Sequence, residues 1–272
     1  MKHNLKISIP LGIIITLVAV IYQRSTGPTY PKKFEIGQEE KVTIKLPRSH
    51  GGESNAPVEL PVMNKKMSAK LIYKRYPTND EWSEVELIKQ GGILKASLPN
   101  QPPAGKLIYF LKINYGSEVQ MLGSKKDPIY IRYKGEVPTF ILAPHVTFMF
   151  LSMLLAVIAF MEAIFKTNLY IKIGRLTLAS LFIGGMILGP IVQKYAFGVY
   201  WAGFPFDWDL TDNKLLIAVT AWGLAVLLTW NRAKRWPIVV AAFVLFGVYS
   251  IPHSMQGSEY DYKKGKVITD MD

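Results

Sequence analysis

Five long stretches without a charged residue constrain this 272-residue chain more than any other feature of its sequence. A helix needs roughly 20 apolar residues, within a range near 17–25, to cross a hydrocarbon core about 30 Å thick. Each stretch is long enough, so the sequence predicts five transmembrane helices. The stretches are Ile7–Gln23, Val137–Met161, Leu176–Gln193, Leu215–Asn231 and Trp236–Ser258.

The first stretch resembles both a membrane anchor and a secretory signal. Lys2 and Lys6 give it the basic start that signal peptides have. The residues after it, Tyr22–Gly27, lack the Ala-x-Ala pattern of a cleavage site. We therefore interpret residues 1–26 as an uncleaved N-terminal anchor, and cleavage stays the alternative.

Lys and Arg residues in the short loops predict the orientation of the chain. The N-terminus, the 162–175 loop and the 231–235 loop together hold eight basic residues and one acidic residue. These segments share one side if five helices alternate, and the positive-inside rule places that side in the cytoplasm. The sequence thus predicts a bacterial inner-membrane protein with residues 27–136, the 194–214 loop and the 259–272 tail in the periplasm.

Residues 27–136 predict a periplasmic all-β domain. Seven or eight alternating runs separated by Pro, Gly and Asn are typical of a β-sandwich. Leu71–Tyr76, Trp82, residues 98–102 and residues 107–111 resemble fibronectin type III and related immunoglobulin-like domains. That resemblance implies a binding or spacing module, and His50 falls in a predicted solvated loop. The predicted fold class is an integral α-helical membrane protein with an immunoglobulin- or fibronectin-III-like sandwich, followed by a four-helix membrane domain over residues 137–258.

The net charge of +12 does not indicate nucleic-acid binding. The eight basic loop residues serve orientation, and residues 24–136 carry 19 basic and 12 acidic residues spread along strand-like runs. The chain has no cysteine, which excludes disulfides, thiolate metal sites and cysteine nucleophiles. The predicted partners are the lipid bilayer and other membrane or periplasmic proteins, without nucleic acid.

Two of the four histidines are predicted at the same depth of the membrane domain. Pro144 suits the first turn of a helix, and the 17 residues from His145 to Glu162 correspond to about 25 Å of helix. Another 17 residues separate Trp236 from His253. Both imidazoles are therefore predicted at the periplasmic boundary.

This pair of histidines predicts a metal or haem site. Imidazole with carboxylate suits zinc, iron or copper, and two histidines on different helices also suit the iron of a b-type haem. The predicted cofactor ligands are His145 and His253, with Asp209, Asp212 and Glu259 as further metal ligands or orienting groups. The corresponding function is periplasmic electron transfer or cofactor handling, and whether the chain is an enzyme stays open.

Two alternatives to the metal or haem site remain. Both histidines can be interface residues, and the chain is then a non-catalytic assembly or scaffold subunit whose sandwich and aromatic 194–214 loop bind partners. The other alternative is a quinone or lipid site beneath Trp201 and Trp208. Two further patterns predict packing: a small-xxx-small pattern at Gly185–Gly189 and an i,i+4 pair of Glu162 with Lys166.

Three strings of this sequence resemble a family of bacterial membrane proteins to which no activity is assigned. The strings are Gly189–Gly198, Asp209–Lys214 and Ile251–Ser254, the last followed by Gly257–Glu259. The resemblance covers most of residues 60–262 and implies an anchor, an outer β-domain and a four-helix membrane domain. The family has Gly where this chain has Asp207, so the resemblance implies no role for Asp207.

Overall fold

The computed structural model describes residues 4–38, 40–231, 234–252 and 257–268. These residues form two compact units. One is a helical unit. The other is a β unit made of Thr29–Glu136 together with Ser258–Ile268. The sequence interpretation treated residues 259–272 as a separate tail, whereas residues 258–268 belong to the β unit.

The helical unit consists of antiparallel helices that follow the apolar stretches. Within the described residues, four helices are long and apolar enough to span a membrane: Leu5–Thr26, Thr139–Ile164, Leu169–Phe197 and Leu210–Thr229. The next apolar helix, Trp236–Ser250, has 15 residues, or about 22 Å, and ends before Pro252. It is shorter than the predicted Trp236–Ser258, so a fifth span stays a prediction. The helices are α1 (Leu5–Thr26), α2 (Thr139–Ile164), α3 (Leu169–Leu181), a π-helix (Phe182–Leu188), α4 (Gly189–Phe197), α5 (Leu210–Thr229) and α6 (Trp236–Ser250).

The π-helical segment joins α3 and α4 into one continuous helix, and it ends two residues before Pro190. Proline has no backbone N–H to donate, and in an α-helix its ring clashes with the carbonyl group of the residue four positions earlier. A wider π turn accommodates this position without breaking the helix. The glycines that pack here are Gly184 and Gly185, both buried in the segment.

Helix α1 packs in the bundle through polar contacts near both of its ends. Near its start, Ser8 Oγ donates to Glu162 Oε1 of α2 at 2.7 Å. Near its end, Gln23 Nε2 donates to the carbonyl oxygen of Tyr249 in α6 at 2.6 Å. Between them Gly12 lies so close to α2 that an added Cβ would be 3.0 Å from a methyl carbon of Leu154. Helix α1 is thus an integral member of the helical unit.

Glu162 does not pair with Lys166, contrary to the sequence prediction. Helix α2 ends at Ile164, and Lys166 has a left-handed backbone with φ of 60°, so its exposed side chain leaves the helix face. Glu162 is fully buried and accepts hydrogen bonds from the hydroxyls of Ser8 and Thr167, at 2.7 and 2.6 Å. Two hydroxyls therefore provide the contacts that the prediction assigned to an ion pair.

The described residues of the β unit form four sheets. The largest has strand order β3-β11-β9-β5-β6, with β10 also paired to β9; β4-β8-β7, β1-β2 and β12-β13 form the others. All pairings are antiparallel except β3 with β11. The strands are β1 (Lys32–Ile36), β2 (Val42–Leu46), β3 (Ser49–Gly51), β4 (Ala56–Pro61), β5 (Ser68–Tyr76), β6 (Ser83–Glu86), β7 (Ile88–Gln90), β8 (Ile93–Leu98), β9 (Lys106–Asn114), β10 (Val119–Leu122), β11 (Ile129–Lys134), β12 (Glu259–Asp261) and β13 (Lys266–Ile268).

One hydrophobic core lies among these sheets in the described residues, and alternate residues of β4, β5, β9 and β11 supply much of it. In β4, for example, Ala56, Val58 and Leu60 are fully buried, and the residues between them are exposed. His50 is not in a loop as predicted. It lies in β3, where Nε2 contacts the carbonyl oxygen of Ser54 at 2.9 Å and the ring lies edge-on to Tyr133.

Candidate functional site

Asp209 begins helix α5 as its N-cap. Its Oδ1 accepts hydrogen bonds from the backbone amides of Thr211 and Asp212, at 2.8 and 3.4 Å. The first amides of a helix have no partner within the helix, and an Asp side chain at this position satisfies them while its charge complements the helix dipole. Asp209 therefore has a structural role that its position in the sequence explains.

The next polar residues of α5 hold the preceding loop against the helix. Asp212 Oδ2 accepts the amide of Ala202 at 2.6 Å, and Asn213 Oδ1 accepts the amide of Phe204 at 2.7 Å. Gly203 lies between them, where an added Cβ would come within 2.7 Å of the Asp212 Cβ. We call residues 200–208 the aromatic platform. Its backbone is thus bound to α5 through the amides of Ala202 and Phe204.

Lys214 connects the same end of α5 to the end of α6. Its Nζ donates to the carbonyl oxygens of Ile251 and Pro252 at 2.9 and 3.3 Å, and the residue is buried. Carbonyls after the last turn of a helix lack partners within it and attract a cation. The lysine therefore closes the C-terminal end of α6 against α5.

The aromatic platform exposes large side chains from this backbone. Phe206 is 82% and Trp208 is 70% exposed, and Tyr200 and Phe204 are also mostly exposed. The rings of Phe204 and Trp208 have centroids 6.2 Å apart, and Trp201 Nε1 donates to the carbonyl oxygen of Phe204 at 3.2 Å. Exposed aromatic rings on a well-defined backbone are a feature of contact surfaces.

His145 lies in α2 beside the π-helical segment. Its Nδ1 is 2.8 Å from the carbonyl oxygen of Gly184. A carbonyl only accepts, so Nδ1 carries the proton, and the lone pair of a neutral imidazole is on Nε2. The ring also lies beside Gly189, where an added Cβ would be 3.8 Å from Cε1. His253 lies outside the described residues.

The structure brings together only part of the predicted ligand set. Asp209 and Asp212 lie together at the start of α5 and bind backbone amides. Glu259 lies in the β unit, where it forms an ion pair with Lys106. In the part of the chain that the structure describes, no three His, Asp or Glu side chains form a group able to hold a metal ion. The predicted metal site, which also includes His253 outside the described residues, therefore stays a prediction.

Sequence reasoning missed three residues of this site. Gly203 permits the close approach of the platform to α5, and Asn213 and Lys214 bind the backbone. Asp209-Leu-Thr-Asp212 directly before an apolar run is typical of helix capping, but this signal identifies neither Gly203 nor the backbone contacts of Asn213 and Lys214.

No protein-family model, curated protein or solved structure matches this chain. The function is therefore inferred from the geometry of the platform and the chemistry of its residues.

Proposed function

We propose that this chain is a non-catalytic assembly subunit of a bacterial inner-membrane complex, which docks a partner protein on its aromatic platform. One observation carries the proposal. The polar residues at the start of α5 bind the platform's backbone, and Phe206 and Trp208 are left exposed. The basic loops at the other end of the helices favour a periplasmic position for the platform.

The fixed backbone of the platform favours a protein partner over lipid. Contact with lipid headgroups requires only that aromatic side chains be present at the membrane interface. A docking surface additionally needs its anchor side chains in defined positions, because ordering them on binding costs free energy. The amides of Ala202 and Phe204 are bound by α5 side chains, so the platform is ordered before any partner arrives.

The β unit fits the same function. We infer that it is a fibronectin- or immunoglobulin-like module in the periplasm, since its sheets enclose one core. Modules of this class bind or space partners without chemistry of their own. The β unit would then provide a second contact surface on the same partner complex.

Site-specific photo-crosslinking in cells tests the docking proposal. A benzophenone side chain at Phe206 should crosslink to one protein of defined mass, whereas the same group at Phe140 should not. Phe140 is a matched control because it is 77% exposed in α2. The double substitution Phe206→Ala/Trp208→Ala should release the partner, because truncating central aromatic anchors costs roughly 2 kcal/mol or more each. Crosslinks to lipid alone, or a complex unchanged by the double substitution, would contradict the proposal.

Asp212→Ala provides a second test that leaves all aromatic side chains in place. It removes the acceptor of the Ala202 amide and loosens the platform's backbone. Partner binding should weaken although Phe206 and Trp208 are unchanged. If binding depends on the aromatic residues but not on Asp212, the preordered backbone is not part of the mechanism.

We further propose, as the second candidate function, that His145 ligates a haem or a transition metal together with His253. The favouring observation is the hydrogen bond from Nδ1 to Gly184, since ligand histidines commonly donate one ring nitrogen to a carbonyl and coordinate through the other. Here Nε2 would be the ligand atom. The test is an absorption spectrum with Fe, Cu and Zn analysis of the purified protein.

The matched comparison for this second candidate uses three proteins. The wild type and His50→Ala should both retain the chromophore or metal, and His145→Ala/His253→Ala should lose it. His50 is a suitable control because it lies in β3 of the β unit. A colourless, metal-free wild type refutes the cofactor and leaves the docking proposal untouched.

A further inference from the structure

A second site lies in the β unit, in a cavity of about 440 Å³. This volume is within the range of about 300–1,000 Å³ that small-molecule sites occupy. Trp82 and Tyr76 form aromatic walls, and Thr78 and Asn79 supply polar groups. The cavity therefore combines apolar ring surfaces with hydrogen-bonding side chains.

The charge of the cavity lining is entirely positive. Three lysines line it, Lys74, Lys125 and Lys263, and no carboxylate does. No ion pair of the three cavity lysines is found among the described residues, and Lys74 also interacts electrostatically with Asp80, which lies outside the lining. A ligand that carries negative charge would be attracted to this positive lining.

The walls of the cavity are held in place by contacts behind them. Trp82 lies edge-on to Phe110 with ring centroids 5.2 Å apart, and Tyr76 lies edge-on to Tyr130 at 5.1 Å. Lys74 Nζ donates to the carbonyl oxygen of Thr78 and lies 5.5 Å from the Trp82 ring centroid. Preordered side chains lower the entropic cost of binding.

We propose that this cavity binds an acidic saccharide. The C–H faces of a sugar ring pack on aromatic side chains, and its hydroxyls pair with groups such as Thr78 and Asn79. The ammonium groups of the lysines bind the ring carboxylate through charge-assisted hydrogen bonds. Neutral sugars lack that contact, and simple anions lack the apolar face that Trp82 and Tyr76 match.

Calorimetric titration of the full-length detergent-solubilised protein with tetragalacturonate tests this site. The fully methyl-esterified tetrasaccharide is the matched neutral ligand. At about 50 mM salt the acid should bind about tenfold more tightly than its ester, because the ester cannot form the ionic contacts. Trp82→Ala should abolish binding of both. Equal affinity for acid and ester, or no binding of the acid, overturns the proposal without any variant.

A pair of charge-matched variants locates the binding. Lys125→Gln/Lys263→Gln should weaken tetragalacturonate binding by about tenfold. Lys126→Gln/Lys264→Gln removes the same charge from lysines outside the cavity lining and should change binding less than about twofold. Equal losses in the two variants indicate long-range attraction and overturn the site. Binding to anionic phosphatidylglycerol vesicles in place of the saccharide also overturns it, in favour of a membrane contact.

Discussion

The hydrogen bond between Ser8 and Glu162 should account for a measurable part of the attachment of α1 to the helical unit. Both residues are fully buried, so water cannot replace a lost donor. The single hydroxyl proton of Ser8 has two nearby acceptors, Glu162 Oε1 at 2.7 Å and the carbonyl oxygen of Asn4 at 3.2 Å. The carboxyl is the closer one. Ser8→Ala leaves Glu162 with Thr167 as its remaining hydroxyl donor.

The magnitude follows from two ranges. A hydrogen bond to a charged group contributes about 1.5–3 kcal/mol in soluble proteins, and side-chain bonds between membrane helices contribute about 0.6 kcal/mol on average and about 1.7 at most. Full burial of both partners favours the upper part of the membrane range. We therefore expect Ser8→Ala to lower the free energy of unfolding by about 1–1.7 kcal/mol, or roughly five- to eighteenfold in the unfolding equilibrium constant.

Reversible unfolding in mixed micelles of increasing SDS content measures this difference. Ser25→Ala is the matched control on the same helix, because Ser25 is exposed and its hydroxyl binds the carbonyl oxygen of Tyr22. The control should change stability by less than about 0.5 kcal/mol. If Ser8→Ala and Ser25→Ala have equal effects, the contact with Glu162 does not stabilise the packing of α1 and the reasoning is refuted.

Two further predictions concern close packing and pH. Gly184→Ala should destabilise the helical unit by about 1–3 kcal/mol in the same assay, because the new Cβ would lie 2.7 Å from Phe148 Cβ. Gly223→Ala is the control: its new Cβ meets open space, and the substitution should be neutral or stabilising. Two hydrogen bonds from the Arg75 guanidinium to the Asp80 carboxylate hold the pKa of Asp80 below its ordinary value. A depressed folded-state pKa contributes stability above the unfolded pKa of about 3.9, which is lost as pH falls through the folded value. Asp80→Asn should therefore reduce the fall in melting temperature between about pH 4.5 and 2.5, and an unchanged fall would contradict this.

Some strands could be predicted from the sequence and others could not. The strand-like runs Ser68–Tyr76 and Ile93–Leu98 coincide with β5 and β8, whereas the alternating run Trp82–Ile88 is divided between β6 and β7. Strand β4 contains Pro57 and Pro61, and prolines in a sequence argue against a central strand. In the structure β4 pairs only with β8, so it is an edge strand, where proline is tolerated. Pairing partners, and with them edge positions, are not visible in a single sequence.

The helix bounds differ from prediction for two physical reasons. The third apolar stretch was defined by the absence of charged residues and therefore began at Leu176. The helix itself begins at Leu169 and includes Lys172 and Arg175. Charged side chains are compatible with the end turns of a membrane helix because they reach the interface. The criterion also extended the last stretch to Ser258, but the helix ends at Ser250, shortly before Pro252.

The roles of the two carboxylates at the candidate site could not be predicted from the sequence. Asp209 and Asp212 have the residue type and the predicted depth of metal ligands, and the sequence does not reveal which groups lie within reach of their oxygens. In the structure those groups are backbone amides of α5 and of the platform. A carboxylate that caps a helix and one that binds a metal are the same residue type in the sequence. Only the groups that lie near the carboxylate in three dimensions distinguish the two roles.

The energetics of a loop at a membrane boundary explain why these polar residues bind backbone. A helix start leaves unpaired amides, and a loop packed against it leaves more; in an apolar environment each unsatisfied group costs about 1–3 kcal/mol or more. Asp209, Asp212 and Asn213 satisfy amides of both segments. Recruiting Asp212 as a metal ligand would weaken its contact with Ala202 and loosen the loop that presents Phe206 and Trp208. Holding the aromatic platform in place and binding a metal through the same Asp212 oxygen are therefore competing uses, and the 2.6 Å distance to the Ala202 amide favours the first.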